Sequence, residues 1–134
     1  MTDLELMNLA VEAREMAYAP YSKFRVGAAL LAKSGKVYKG CNVENAAYSP
    51  TNCAERTALF KAVSEGEREF TAIAIVGGMD ETIADFCAPC GVCRQVLAEF
   101  CDKDFRLVLG NPDNLKVYSF EEILPFAFGK ADLE

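Results

Sequence analysis

The sequence predicts an α/β fold, a three-layer α-β-α sandwich in which a single mixed sheet of about five strands has helices on both faces. Two observations support this class. Short β-prone runs alternate with segments of helical apolar spacing in the order αββαβαβα. The chain has 134 residues and no repeat, low-complexity tract or linker, and this is the usual size of one compact unit. We therefore expect residues 1–134 to form a single domain.

The N-terminal part is expected to form a helix followed by a β-hairpin. The helix begins at a capping box, in which Thr2 and Glu5 satisfy each other's free backbone amides. Pro20 ends the helical pattern because it lacks an amide hydrogen. The apolar residues at helical spacing are Leu6, Leu9, Ala10, Ala13 and Ala17. The expected hairpin has strands at residues 26–32 and 36–43 and a turn at Ser34-Gly35.

The remaining elements follow from the same spacing rules. After a polar loop at 44–52, we expect a helix at 53–65, a buried strand at 71–76, a loop at 77–89, a helix at 90–101, strands at 106–109 and 116–118, and a short helical turn capped by Ser119.

Charge and hydropathy restrict the partners that the chain can bind. The formal net charge is −6 at pH 7 and Lys and Arg form no cluster, so a long nucleic acid is not an expected ligand. No apolar run approaches the ~20 residues that span a bilayer. The acidic N-terminus lacks the features of a signal peptide. We expect a cytoplasmic protein that binds a small neutral ligand and neither a membrane nor nucleic acid.

Cysteine is abundant and histidine is absent. The six cysteines are Cys41, Cys53, Cys87, Cys90, Cys93 and Cys101. Without a secretory signal, this number indicates metal or redox chemistry rather than disulfides. Any metal site must then use thiolates and carboxylates, and any general acid or base must be a residue other than histidine.

Three of the cysteines are expected at the starts of helices. Cys90 and Cys93 are one helical turn apart, and Cys53 begins the preceding helix. The positive end of a helix favours a thiolate over a thiol. Three thiolates suit Zn²⁺ and leave its fourth position for water. Glu55 lies two residues beyond Cys53, so it could stand beside that water as the proton carrier without binding the metal.

Spacing alone leaves several interpretations open. A lone C-x-x-C pattern is also found in redox pairs, and the spacing of Cys87, Cys90 and Cys93 resembles part of an iron–sulfur binding run. A structural zinc site with four cysteines fits the pattern as well, with Cys41, Cys87 or Cys101 as the fourth ligand.

The motifs read together resemble those of the zinc-dependent cytidine and deoxycytidine deaminases. The matching segments are Cys53-Ala54-Glu55-Arg56, Pro89-Cys90-Gly91-Val92-Cys93, residues 19–30 and residues 40–46, in the family's order. The resemblance covers nearly the whole chain. It implies the fold of that family, one Zn²⁺ per subunit, and hydrolysis of cytidine and 2′-deoxycytidine to uridine and 2′-deoxyuridine, as in pyrimidine salvage.

The resemblance also implies roles for individual residues. Cys53, Cys90 and Cys93 would bind zinc, and Glu55 would carry protons. The implied substrate contacts are the Phe24 ring on the pyrimidine, Asn42 and Glu44 on the ribose 3′-hydroxyl, the Ala54 backbone on the polar edge of the base, and Tyr48 near the 5′ end of the sugar. From the residues alone, Phe24 could equally belong to the core, and Asn42 and Glu44 could face water.

Two further expectations concern the surroundings of the site. Arg56 would donate to the ligand sulfurs and offset the net negative charge of zinc with three thiolates. The small size and the cysteine ligands resemble the homotetrameric branch of the family, in which Phe128 would reach into a neighbouring subunit's pocket.

The chain departs from the family in one segment. The loop at 77–89 is a few residues longer than is usual and adds Cys87, which could compete for the metal or oxidise with Cys90. The nearest functional rivals are deamination of a nucleoside antibiotic or of a free base. More distant rivals are a deaminase that acts on polynucleotides and a non-enzymatic zinc or redox module.

Overall fold

A computed structural model describes all residues from Met1 to Glu134. The elements are α1 (Asp3–Arg14), β1 (Phe24–Ala32), β2 (Val37–Cys41), α2 (Ala54–Ser64), β3 (Phe70–Met79), α3 (Gly91–Phe100), β4 (Arg106–Asn111), β5 (Asn114–Ser119), α4 (Phe120–Ile123) and a 3₁₀ helix (Lys130–Leu133). None of the helices has the length and apolar character needed to cross a bilayer.

The five strands form one mixed sheet in the order β2-β1-β3-β4-β5. Only β3 and β4 pair in parallel, and the other neighbours are antiparallel. The connection between β3 and β4 contains α3, as expected because parallel neighbours need a crossover. The predicted mixed five-stranded sheet is confirmed.

Alternating residues of the strands face two separate hydrophobic cores. Ala28 and Leu30 of β1 pack with α2 and α3, whereas Ala29 of the same strand packs with α1. Burial of both faces requires apolar residues at successive positions, and this explains the continuous apolar runs in β1 and β3. The three-layer arrangement is therefore confirmed, with α1 alone on one face.

Several predicted boundaries were wrong, for identifiable reasons. The first helix ends at Arg14 rather than near Ala17, because Tyr18 leaves the helical path to form a bridge with Val43. Strand β2 stops at Cys41 rather than at residue 43, so the bridge at Val43 lies beyond the end of the strand. The 3₁₀ helix at the C-terminus was not predicted.

The largest correction concerns β3. The sequence predicted a strand at 71–76 and a loop from residue 77, but β3 continues to Met79. The extra residues pair with the start of β1, where Gly77, Gly78 and Met79 lie opposite Val26, Arg25 and Phe24. The loop before α3 therefore begins at Asp80, and two glycines lie within a strand.

Candidate active site

Three cysteine sulfurs lie close together at the starts of α2 and α3. The sulfur atoms of Cys53, Cys90 and Cys93 are all within 4.8 Å of one another. The sulfurs of Cys53 and Cys90 are 3.9 Å apart. Sulfurs bound about 2.3 Å from a tetrahedral Zn²⁺ are separated by roughly 3.8 Å. The donor set and its spacing therefore fit a zinc ion.

Local helix geometry brings these sulfurs together. Cys53 and Cys90 are the N-cap residues of α2 and α3, both with extended backbone angles. The backbone amide of Cys93 donates to the sulfur of Cys90 at 3.5 Å. Two helix N-termini thus converge on the sulfurs, and their free amides and dipoles favour negative charge there.

The pKa values of Cys53 and Cys93 are shifted in opposite directions. The hydrogen bond with Cys93 lowers the pKa of Cys53, and Arg56 lowers it further, although burial opposes both effects. The same hydrogen bond, together with burial, raises the pKa of Cys93. Cys53 therefore ionises before Cys93, and binding of a cation to both would have to displace the proton of Cys93.

No fourth cysteine or carboxylate joins the group. Cys41, Cys87 and Cys101 lie outside the three-sulfur cluster, and all six cysteines are free thiols. Burial raises the pKa of Cys87 to about 11 and that of Cys101 to about 12. The structural four-cysteine interpretation is wrong for this chain, and the three-ligand geometry leaves a position for water.

Glu55 is the second residue of α2 and is nearly inaccessible, with 5% of its surface exposed. Burial raises the pKa of Glu55 to about 7, and the negative charge of Cys53 contributes to this increase. A carboxyl group with a pKa close to the working pH can both accept and release a proton. Glu55 lies beside the sulfurs without being one of the grouped ligands.

Arg56 follows Glu55 and faces the cluster. Its Nη2 donates to the sulfur of Cys53 at 3.3 Å, and this hydrogen bond raises the pKa of Arg56. The Nε of Arg56 is buried without a hydrogen-bond partner in the chain. A guanidinium in this position places positive charge against a thiolate.

Phe24 stands at the start of β1, where it meets the loop between β3 and α3. A β-carbon added to Gly77 would lie 2.9 Å from the Cys87 sulfur and 2.9 Å from Cε1 of Phe24. The absence of a side chain at Gly77 thus lets the aromatic ring and the thiol pack over the same stretch of β3. Sequence reasoning noted Cys87 only as a competing metal ligand or oxidation partner and missed this packing.

Asn42 is used to hold β1. Its Oδ1 accepts from the Val26 amide at 2.9 Å, and its Nδ2 donates to the Phe24 carbonyl at 2.8 Å. The residue is buried. One N–H and one lone pair of the carboxamide remain for another partner.

Glu44 is fixed by the turn before β1. Its carboxylate accepts from the amides of Tyr21 and Ser22, each at 3.0 Å, and from the Ser22 hydroxyl. Burial opposes ionisation, but these hydrogen bonds outweigh it and lower the pKa of Glu44. No pattern of residues indicated in advance that Ser22 would orient this carboxylate.

The carboxylate of Glu44 lines a cavity of about 350 Å³ together with Tyr48. Tyr48 has a left-handed backbone, with φ of 62°, and its ring is largely exposed. Ala54 is fully buried at the first position of α2. Phe128 is exposed, and only its carbonyl is held, by Gln95 Nε2 at 2.9 Å.

Two residues that sequence reasoning missed support the helix starts of the cluster. Thr57 donates from its hydroxyl to the Cys53 carbonyl at 3.2 Å. Arg94 donates from Nε to the Pro89 carbonyl at 2.9 Å and from Nη1 to the Ile123 carbonyl at 2.7 Å. All three acceptors are backbone carbonyls, so no pattern of residue types could have indicated them.

Comparison with known proteins agrees with this geometry. Residues 1–109 match the family model described as the cytidine and deoxycytidylate deaminase zinc-binding region. The chain is 54% identical to a cytidine deaminase of Sporosarcina psychrophila over 91% of the chain and 88% of that protein. It is 51% identical to a cytidine deaminase of Halalkalibacterium halodurans over 96% of the chain and 95% of that protein.

A solved structure shows the same fold. The crystal structure of a cytidine deaminase from Burkholderia pseudomallei has a TM-score of 0.87 and 50% identity, covering 96% of the chain and 100% of that protein.

Proposed function

The chain belongs to the cytidine and deoxycytidylate deaminase family, and from this premise we propose how its residues perform the reaction. It is an enzyme that uses zinc to convert cytidine to uridine with release of ammonia. We extend the substrates to 2′-deoxycytidine, because the contacts proposed below reach the 3′-hydroxyl that both sugars share. All 134 residues are proposed to act as one deaminase domain.

Cys53, Cys90 and Cys93 hold the metal in this proposal. The observation that carries it is the group of three sulfurs within 4.8 Å, with a buried carboxyl group beside them and no fourth protein ligand. Zinc bound there supplies an activated water molecule near the carbon that loses its amine. The arginine that donates to Cys53 offsets the excess negative charge of three thiolates.

Glu55 moves the protons. It accepts a proton from the water and gives it to ring atom N3 while the water oxygen bonds to C4. It then takes the second proton from the same oxygen and gives it to the exocyclic amine. The C4–N4 bond breaks, ammonia leaves, and the proton at N3 stays in the uridine product. A pKa of about 7 for Glu55 suits both directions of transfer.

The other side chains orient the nucleoside. Phe24 packs on the pyrimidine ring, and the Ala54 backbone hydrogen-bonds to its polar edge. Asn42 and Glu44 bind the ribose 3′-hydroxyl, and the ionised Glu44 offers an acceptor for that hydroxyl.

The edge of the substrate site is proposed to involve other subunits. Tyr48 borders the 5′ end of the sugar, where it lines the cavity beside Glu44. The exposed ring of Phe128 is proposed to enter a neighbour's site in a homotetramer. A cytoplasmic location stays a prediction.

The test is the ultraviolet absorbance of cytidine incubated with purified, zinc-loaded protein. Wild type should convert cytidine to uridine, and Glu55→Gln should be slower by about 10³-fold or more while still binding zinc. Glu99→Gln, an exposed change on α3, is the matched control and should be fully active. Near-normal turnover by Glu55→Gln would contradict the proposed proton carrier.

A further inference from the structure

Arg14, the last residue of α1, is a buried cation whose partners are all backbone carbonyls. Its Nε donates to the Arg25 carbonyl at 3.0 Å. Its Nη2 donates to the carbonyls of Gly78 at 2.9 Å and Asp80 at 2.7 Å, and also to that of Thr82. Only 6% of the residue is exposed, and it forms no ion pair. Buried charges are usually paired with an opposite charge, so the carbonyl dipoles replace a carboxylate here.

Three of the four carbonyls held by Arg14 lie at the end of β3 and in the turn that follows it. They come from alternate residues, 78, 80 and 82, so one guanidinium fixes the whole turn. The turn folds back closely onto Gly78. A β-carbon added to this glycine would lie only 2.2 Å from the Thr82 carbonyl oxygen. The Asp80 amide donates to the Lys23 carbonyl at 2.8 Å, and the Ala84 amide donates to the Gly77 carbonyl at 2.8 Å. The turn thus lies on the ends of β1 and β3.

The loop that continues from this turn reaches the base-binding side of the site. The Cys87 sulfur of this loop and the Phe24 ring both lie over Gly77. One residue earlier, the Phe86 ring meets the Tyr118 ring edge to face, with centroids 6.2 Å apart. A loose turn at 80–82 would free Cys87, and with it one side of the Phe24 ring.

We propose that Arg14 is a positioning residue for the pyrimidine pocket, which holds the loop at 80–88 so that Cys87 supports Phe24. Arg14 touches neither substrate nor zinc and acts through the loop. The inference rests on the proposed role of Phe24 in binding the base. It gives a function to the loop segment that carries Cys87.

Arg14 also ties α1 to the sheet. A purely structural role as this tie must be distinguished from an effect on the loop. The chain contains a second such tie at the other end of the helix, where Arg106 Nη2 contacts Asp3 Oδ1 at 2.8 Å. Arg106→Met therefore removes a link between α1 and the sheet without touching the loop. It is the matched control for Arg14→Met.

The first test compares steady-state kinetics of zinc-loaded wild type, Arg14→Met, Arg14→Lys and Arg106→Met with cytidine. We expect Arg14→Met to raise KM by about fivefold or more and to change kcat by less than about twofold. Arg14→Lys should recover part of the loss, since an ammonium can still donate to the carbonyls. Arg106→Met should keep the wild-type KM.

The second test measures how often the loop opens, and it does not depend on enzyme activity. The zinc-loaded proteins are treated with an aromatic disulfide that labels accessible thiols. Arg14→Met should label Cys87 about tenfold faster than wild type, because the loop opens more often. The additional rate should vanish in the Arg14→Met, Cys87→Ser double variant. Arg106→Met should label Cys87 at the wild-type rate.

The outcomes distinguish a failure of the proposed function from a failure of the proposed role of Arg14. An inactive wild type would contradict the proposed function but leave the labelling test of the loop intact. An active wild type with the same KM and labelling rate in Arg14→Met and Arg106→Met would overturn the role of Arg14. If Arg14→Met does not fold, Arg14→Lys carries both measurements, with smaller changes expected in the same direction.

Discussion

The Nη2 atom of Arg56 donates to the sulfur of Cys53 at 3.3 Å, in a position where the arginine can only act through the ligand. A thiolate that receives a hydrogen bond transfers less negative charge to a bound metal, and zinc with three thiolates has an excess of negative charge. The pair therefore links the charge of the site to a residue of α2 that binds neither metal nor substrate.

Removal of this hydrogen bond should weaken the metal site. We expect Arg56→Gln to lower zinc affinity or activity by about 10- to 100-fold, as for other partners of metal ligands. Competition with a chromophoric chelator measures the affinity, and cytidine turnover measures the activity. Arg68→Gln is the control, because Arg68 bonds only to backbone carbonyls in the last turn of α2 and just beyond it. Wild-type values for Arg56→Gln in both assays would contradict the charge argument.

Loss of one ligand should abolish the stabilisation that zinc provides. Wild type saturated with zinc at about 1,000 times its dissociation constant gains roughly 4 kcal/mol in the free energy of unfolding. A chelator should therefore lower the Tm of wild type but leave that of Cys93→Ala unchanged. Cys41→Ala, a change outside the cluster, should retain the chelator effect. A Tm of Cys93→Ala that still responds to the chelator would argue against this ligand.

Asn42 should matter for both stability and substrate binding. Asn42→Ala removes the partners of the Val26 amide and the Phe24 carbonyl, which should cost about 1–3 kcal/mol in the free energy of unfolding. Denaturant titration measures this change, and KM for cytidine should rise as well. Asn45→Ala removes only a local hydrogen bond to Ala47 and should have little effect on stability. Equal stability of the two variants would remove the proposed support of β1.

The stability of the protein should depend on Glu67 in acid. The hydroxyls of Ser34 and Tyr38 donate to its carboxylate at 2.7 and 2.9 Å and lower its pKa from 4.5. Because the pKa is lower in the folded than in the unfolded state, the stabilisation is present above about pH 4.5 and is lost as the pH falls through the folded-state value. The difference in unfolding free energy between wild type and Glu67→Gln should therefore shrink on acidification. A difference that is constant between neutral and acidic pH would contradict this.

The parts of the site that lie within one helix start could be predicted from the sequence. The spacing of Cys90 and Cys93 determines a shared direction for their sulfurs, and the position of Glu55 after Cys53 places it near the ligands. The alternation of β-prone and helical segments likewise predicted the three-layer sheet. In these cases the local chain geometry is sufficient.

The parts that depend on distant backbone atoms could not be predicted. Arg14 looks like an ordinary surface residue at a helix end, and its burial depends on carbonyls that lie 64 or more residues away, at the end of β3 and in the turn after it. The packing of Cys87 with Phe24 depends on the extension of β3 past Val76. Two glycines there argued for a loop, but pairing with β1 and the close approach of the turn favour a strand.

The sulfurs of the metal site come from two segments that are far apart in the chain. Cys53 follows the β1–β2 hairpin, while Cys90 and Cys93 lie on the crossover between β3 and β4. We expect a cation to meet all three sulfurs only after these segments have docked, which places zinc binding after the folding transition state. Interactions that form after the transition state slow unfolding and leave the folding rate nearly unchanged. Zinc should therefore prolong the lifetime of the native state without making the chain fold faster.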